Sequence, residues 1–249
     1  MFVAASTDCF PDLPLMDAIE RLVDLEYSNV VIAVRESGCQ IRPSEVAQDV
    51  EKAASFCCNT HRLNILGYTL EIEATGEEYL RQFTACCRLA KATKVVQLTI
   101  PSAELGTPFN EEVEDLRKRV QIASLEGVLV GIKTETGRLS EDSGTVGVLC
   151  DNVKGLGVTL DPSHFVWGRP TMRNYEPILK YVNHVQLRDS NKDHLQVRIG
   201  QGCVEFGKLV TQLQRFDYRR VLEVNLTPAE GIDHSSEMRK MRLLLESLL

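Results

Sequence analysis

An aspartate followed three residues later by a histidine, Asp161-Pro162-Ser163-His164, stands where the apolar run Val158-Thr159-Leu160 gives way to polar sequence. Carboxylates and imidazoles are the groups that take and return protons near neutral pH and that ligate divalent ions. A second acid, Glu223, is framed by apolar residues in Val221-Leu222-Glu223-Val224. A third group reads His184-Val185-Gln186-Leu187-Arg188-Asp189 and leads through a polar loop to Arg198-Ile199-Gly200-Gln201-Gly202. Arg188, Lys192 and Arg198 flank that glycine turn ahead of a helix. They have two readings, a phosphate site built from helix N–H groups and side-chain charge, or a solvated loop. His184 lies two residues before Gln186, one layer deeper in an extended strand, and reads as a hydrogen-bonded core histidine.

These residues need elements that bring distant segments together. Short β-rich runs alternate with amphipathic stretches along the whole chain, with no Pro/Gly/Ser linker between them, which argues for repeated βα units. The strands predicted are Phe2–Ser6, Asn29–Val34, Arg62–Thr69, Lys94–Ile100, Val128–Lys133, Gly157–Asp161, His184–Arg188 and Val221–Asn225. Helices are predicted near 14–26, 44–60, 77–92, 110–125, 141–152, 172–181, 204–215 and 233–248. Thr75 three residues before Glu78 has the spacing of a capping box, while Gly144 and Gly147 weaken the fifth helix. The expectation is α/β, a single (β/α)8 TIM barrel over residues 1–249, a length that suits the fold. An open doubly wound sheet is the rival, but no Gly-rich dinucleotide turn follows the first strand. In a closed parallel barrel the reactive groups gather at the C-terminal ends of the strands, where all three groups above fall.

Composition narrows the partners. A formal charge of −7 and a pI near 5.4 disfavour nucleic acid, whose binding calls for an excess of Lys and Arg. No apolar run approaches the roughly 18 residues that cross a bilayer, and the N-terminus lacks the basic start of a signal peptide. The expectation is a cytoplasmic protein without membrane partners, its oligomeric state open. The eight cysteines lie singly or as the adjacent pairs Cys57-Cys58 and Cys86-Cys87, which suits reduced apolar positions rather than disulfides or zinc.

Nearly the whole chain resembles the xylose isomerase-like barrels, a superfamily of sugar and sugar-phosphate isomerases and epimerases that also holds inosose dehydratases and apurinic endonucleases. The resemblance is carried by the Ser6-Thr7 strand, the Asp161-Pro162-Ser163-His164 turn, the segment ending in Arg188-Asp189, the Gly200-Gln201-Gly202 turn and Glu223. It implies a divalent metal held by Glu, Asp, His and Glu from strands five to eight, with the two glutamates carrying protons. Asp161 and Glu223 match two of those ligands, and His164 matches a residue that contacts a substrate oxygen. The other two positions differ. Alignment through Gly137-Arg138-Leu139 places Lys133 at the first glutamate, and Gln186 stands at the histidine.

An ammonium in place of a carboxylate turns attraction for a cation into repulsion, worth roughly 4 kcal/mol per unit-charge pair at about 4 Å and an effective dielectric near 20. The favoured expectation is therefore a metal-free centre, with Lys133 paired to Asp161 and Glu223 and hydrogen-bonded by Gln186. The alternative keeps Mg or Mn on Asp161, Glu223 and Glu135, since Glu135 lies on the same side of an extended strand as Lys133. A Schiff base on Lys133 is a further option, opposed by carboxylates that favour the protonated amine.

The expected chemistry is proton transfer on a small polyhydroxylated carbonyl compound, a sugar or sugar phosphate. Glu223 would act as base, Lys133 would stabilise the enediolate, and His164, Gln186, Arg188, Lys192 and Trp167 would bind substrate. A non-catalytic sugar-binding relative is the alternative. Arg35 and Arg42 are expected after strand two, facing the same mouth.

Overall fold

The computed structural model describes residues 1–168 and 171–249. Eight parallel strands close into a barrel in chain order: β1 (Phe2–Ser6), β2 (Asn29–Arg35), β3 (Asn64–Glu71), β4 (Gln97–Pro101), β5 (Leu129–Lys133), β6 (Leu156–Leu160), β7 (Val182–Leu187) and β8 (Val221–Val224). Closure is made by β1 on β8, with Phe2 beside Val221 and Ala4 beside Glu223. The (β/α)8 barrel expected from the alternating pattern is the fold formed.

The helices are α1 (Leu15–Asp24), α2 (Pro43–Gln48), α3 (Val50–Cys57), α4 (Gly76–Ala92), α5 (Phe109–Leu125), α6 (Ser143–Asn152), α7 (Ser163–Val166), α8 (Phe206–Arg215) and α9 (His234–Ser247). The helix predicted at 44–60 is divided at Asp49, whose backbone is extended (φ −153°, ψ 93°) and whose side chain accepts from Lys52 N (2.9 Å) to begin α3. The one predicted at 172–181 is a 3-10 helix, Glu176–Tyr181, with Pro177 in its first turn. Residues 172–174 stay outside it because Arg173 N bonds back to Phe165 O (2.9 Å). Thr75 stands at the N-cap position of α4, but its side chain makes no capping hydrogen bond and no capping box forms: Glu78 is held by Arg81 (2.7 Å) and Gln82 (2.8 Å). The glycine-bearing α6 is secured by Asp142, whose carboxylate accepts from Thr145 N (2.9 Å).

Apolar side chains fill the layer between strands and helices, among them Leu22, Ile32, Leu98, Ile132, Leu160, Leu187, Leu213 and Met241. The barrel's own interior is different. Ala4, Val31 and Val221 close its floor with Leu66 packed against them, and the levels above are polar. The Asn183 amide lies where a Cβ on Gly131 or Gly157 would stand (2.5 and 2.2 Å), which only glycine permits. The hydroxyls of Thr99 and Thr159 meet at 2.8 Å, and Gln97 Nε2 donates to Asn183 Oδ1 (3.3 Å). All eight cysteines are free; Cys9, Cys57, Cys86, Cys87 and Cys150 are buried as apolar positions, while Cys39, Cys58 and Cys203 are exposed. Among the described residues no helix is long and apolar enough to cross a membrane.

Candidate active site

Adjacent strands set the depth of each group. Gln186 on β7 stands beside Glu223 on β8, and Lys133 at the end of β5 stands beside Thr159 on β6. Asp161 follows β6 directly, and Arg188 follows β7. Asp161, His164, His184, Gln186, Arg188 and Glu223 are all buried. Lys133 keeps 18% of its side chain exposed, so its amine faces the mouth of the barrel.

Glu223 is bound from three sides. His184 Nε2 meets Oε2 at 2.6 Å, Gln186 Nε2 donates to both oxygens (3.3 and 3.2 Å), and Asn225 Nδ2 donates to Oε1 (3.3 Å). His184 is thus the buried, hydrogen-bonded histidine expected from its place in the strand, and its partner is the strand-eight acid itself. Gln186 also donates to Thr69 Oγ1 (3.3 Å).

Asp161 is bound by its own turn and by two bases. The Ser163 hydroxyl and Ser163 N (3.0 Å) donate to Oδ1, while Arg188 Nη2 lies 3.3 Å and His164 Nε2 3.7 Å from Oδ2. Burial acts to raise its pKa, but Arg188, His164, Lys133 and the Ser163 hydrogen bond together hold the carboxyl below its usual value. For His164, burial dominates and lowers the pKa; Asp161 opposes it, and Lys133 and Arg188 reinforce it. Its Nδ1 meets Thr136 N and the Thr136 hydroxyl at 3.2 Å, and Trp167 packs edge-on with ring centroids 6.4 Å apart.

Several expected pairings are replaced by others. The ion pair of Lys133 is with Glu135 (3.7 Å), not with Asp161 or Glu223, because Arg188 and His184 already occupy those carboxylates. Gln186 donates to Glu223 and Thr69 rather than bonding Lys133. Glu135 does lie beside Lys133, but it also accepts from Arg138 Nε (2.9 Å) and does not join Asp161 and Glu223. Among the described residues no group of three or more His, Cys, Asp and Glu side chains is arranged to hold a metal. With Arg188 on Asp161 and Lys133 at the strand-five position, the donor set as arranged does not suit the divalent ion implied by the resemblance.

The phosphate reading of the glycine turn is also corrected. Asp189 fills that turn itself, accepting from Ser190 N (3.0 Å), Gly200 N (2.8 Å), Gly202 N (3.0 Å) and Val204 N (3.4 Å). The carboxylate comes so close that a Cβ on Gly202 would meet Asp189 Oδ1 at 1.9 Å. A protein acid thus takes the N–H donors an external phosphate would need. Arg198 turns to Gly231 O (3.3 Å), and Lys192 is exposed on the outer loop, where its carbonyl accepts from Gly168 N (2.9 Å).

The strand-one side adds a residue that the sequence reading missed. Asp8, one turn after β1, binds Arg35 Nη2 at 2.6 Å, and Arg35 Nε lies 3.3 Å from Glu71. Burial pushes the Asp8 carboxyl above its usual value against the pull of Arg35, and it senses the charges of Glu223 and Lys133. A carboxylate just past the C-terminal end of a predicted strand was the available signal. Arg35 ends β2 rather than lying in the loop after it, while Arg42 is exposed and turns to Gly38 O (3.3 Å).

Among the solved structures, the chain is similar to a D-allulose 3-epimerase from Methylomonas sp. (TM-score 0.77, 12% identity, covering 100% of this chain and 98% of that one). It is similar too to a xylose isomerase domain protein from Planctomyces limnophilus (0.72, 15%, 99% and 95%) and to a 3-keto-D-glucoside 4-epimerase from E. coli (0.73, 14%, 99% and 99%). At such identities the likeness establishes the fold. None of the curated proteins matches the sequence. The sequence over residues 17–242 nevertheless matches the family described as the xylose isomerase-like TIM barrel, and with its closed eight-stranded barrel the chain belongs to that family.

Proposed function

We propose that the chain moves a proton between adjacent carbons of a small polyhydroxylated carbonyl compound, as a sugar isomerase or epimerase, at a centre that works without a metal. The observation that carries this reading is the buried Glu223–His184 contact at 2.6 Å beneath a mouth that presents Lys133. Glu223 takes the proton from the carbon next to the carbonyl. His184 gives that proton a second resting place, from which Glu223 can return it to the neighbouring carbon. Lys133 stands where the developing enediolate oxygen needs positive charge, and His164 and Arg188 orient the substrate's oxygens. The family and the epimerases of similar fold support a sugar as substrate, and D-allulose, present in one of those structures, is a reasonable first probe.

The test is exchange of the substrate's carbon-bound hydrogen with deuterated solvent, followed by NMR. Glu223→Gln is expected to slow exchange about 1000-fold, within the range of general-base catalysis. Lys133→Met should slow it about 100-fold, as does loss of one group that stabilises an oxyanion. Exchange by Glu223→Gln at the wild-type rate would refute the assignment.

One observation favours a second reading, a sugar-binding protein without turnover. Glu223 is fully buried, and both of its oxygens already carry hydrogen bonds. Saturable sugar binding without any solvent exchange in the wild type would select this reading.

A further inference from the structure

Between the turn after β1 and the loop after β2 lies a cavity of about 250 Å³ that the proposed reaction does not use. Asp8, Asp12, Ala33, Arg35 and Gln40 are among its lining residues. The walls are fixed to one another. Thr7 Oγ1 accepts from Ala33 N (3.0 Å), and Gln40 Nε2 donates to Thr7 O (3.0 Å) and Phe10 O (3.1 Å). Gln40 Oε1 is a buried acceptor on the lining without a hydrogen-bond partner, while Arg35 Nε is held by the Glu71 carboxylate at 3.3 Å. Asp8 lines this cavity from the turn that is tied to the Glu223 strand, since the neighbouring Cys9 Sγ donates to Val224 O (3.4 Å).

We infer that this cavity is a subsite for the hydroxylated tail of an unphosphorylated sugar, with the Asp8–Arg35 pair binding neighbouring hydroxyls. Hydroxyls both donate and accept, and so they match a wall that carries a carboxylate, a guanidinium and an amide side by side. A phosphate ester does not match it. Asp8 and Asp12 outnumber the single lining cation, Arg35, which also pairs with Glu71. The glycine turn after β7 offers no substitute, because Asp189 holds its N–H donors. The inference rests on reading the barrel mouth as a sugar site.

Calorimetric titration of the full chain with D-allulose, its 6-phosphate and a ketotetrose tests it. Wild type should bind D-allulose at least tenfold more tightly than the phosphate. Asp8→Asn should weaken D-allulose at least tenfold while changing ketotetrose binding less than twofold, since the shorter chain does not reach the cavity. Asp12 is exposed, so Asp12→Lys should fold normally and reduce or reverse the discrimination against phosphate. The inference is overturned by tighter binding of the phosphate to wild type, by equal losses for both sugars in Asp8→Asn, by unchanged discrimination in Asp12→Lys, or by no binding of D-allulose at all. Binding that follows the expected pattern without solvent exchange would leave the subsite standing and remove only the catalytic reading.

Discussion

Around one barrel mouth, the strand-seven side and the strand-one side treat their polar groups in opposite ways. After β7, Asp189 binds four backbone N–H groups and Arg188 binds Asp161, so the loop is closed by internal partners. Between β1 and β2, Asp8 and Arg35 also pair, but they do so on the wall of a cavity. The difference teaches that a charged turn is a binding site only where its donors and acceptors remain accessible. The more basic turn is a structural clasp, and the less conspicuous one is open.

The largest effect should come from opening the clasp. Asp189→Ala leaves four backbone donors without their buried acceptor and is expected to destabilise the protein by about 4 kcal/mol, measured by urea unfolding. If the loss is under about 1 kcal/mol, water replaces the carboxylate readily and the turn is not a structural clasp.

Next in size is Arg188→Met, which leaves Asp161 buried with one cation fewer. A loss of about 3 kcal/mol is expected in the same measurement, at the lower end for a broken buried pair because Ser163 and His164 remain.

The smallest effect is a pH slope. Burial holds His164, and likewise His234, below the usual histidine value, so the unfolded chain takes up a proton at a higher pH than the folded one. Between the two values the unfolded state binds more protons, and stability must fall as pH drops through about 6.5. His164→Gln should flatten the slope of urea midpoint against pH between 7 and 5 without abolishing it, since His234 still titrates. A slope unchanged in the variant would place His164 in a more solvated setting than its burial indicates.

Much of this was legible in the residues. The alternation of β-rich and amphipathic segments determined the barrel, because each element must bury one face and the repeat leaves few ways to do so. The strand-end acids Asp161 and Glu223, and the substitution of Lys133 and Gln186 at two ligand positions, could likewise be read in order along the chain. Helix detail was less legible. Asp49 and Pro177 act through local backbone geometry that a hydrophobic pattern does not register.

What only the tertiary structure decided was who partners whom. Lys133 had several carboxylates within sequence-level reach, and the choice of Glu135 followed from Arg188 and His184 reaching the other two first. The glycine turn flanked by Arg188, Lys192 and Arg198 could be read as an anion site, and Asp189 proved to be the anion. Both outcomes depend on distances of a few ångströms between segments remote in the chain. A sequence specifies which groups are available, but buried charges settle on partners only when the fold has set those distances.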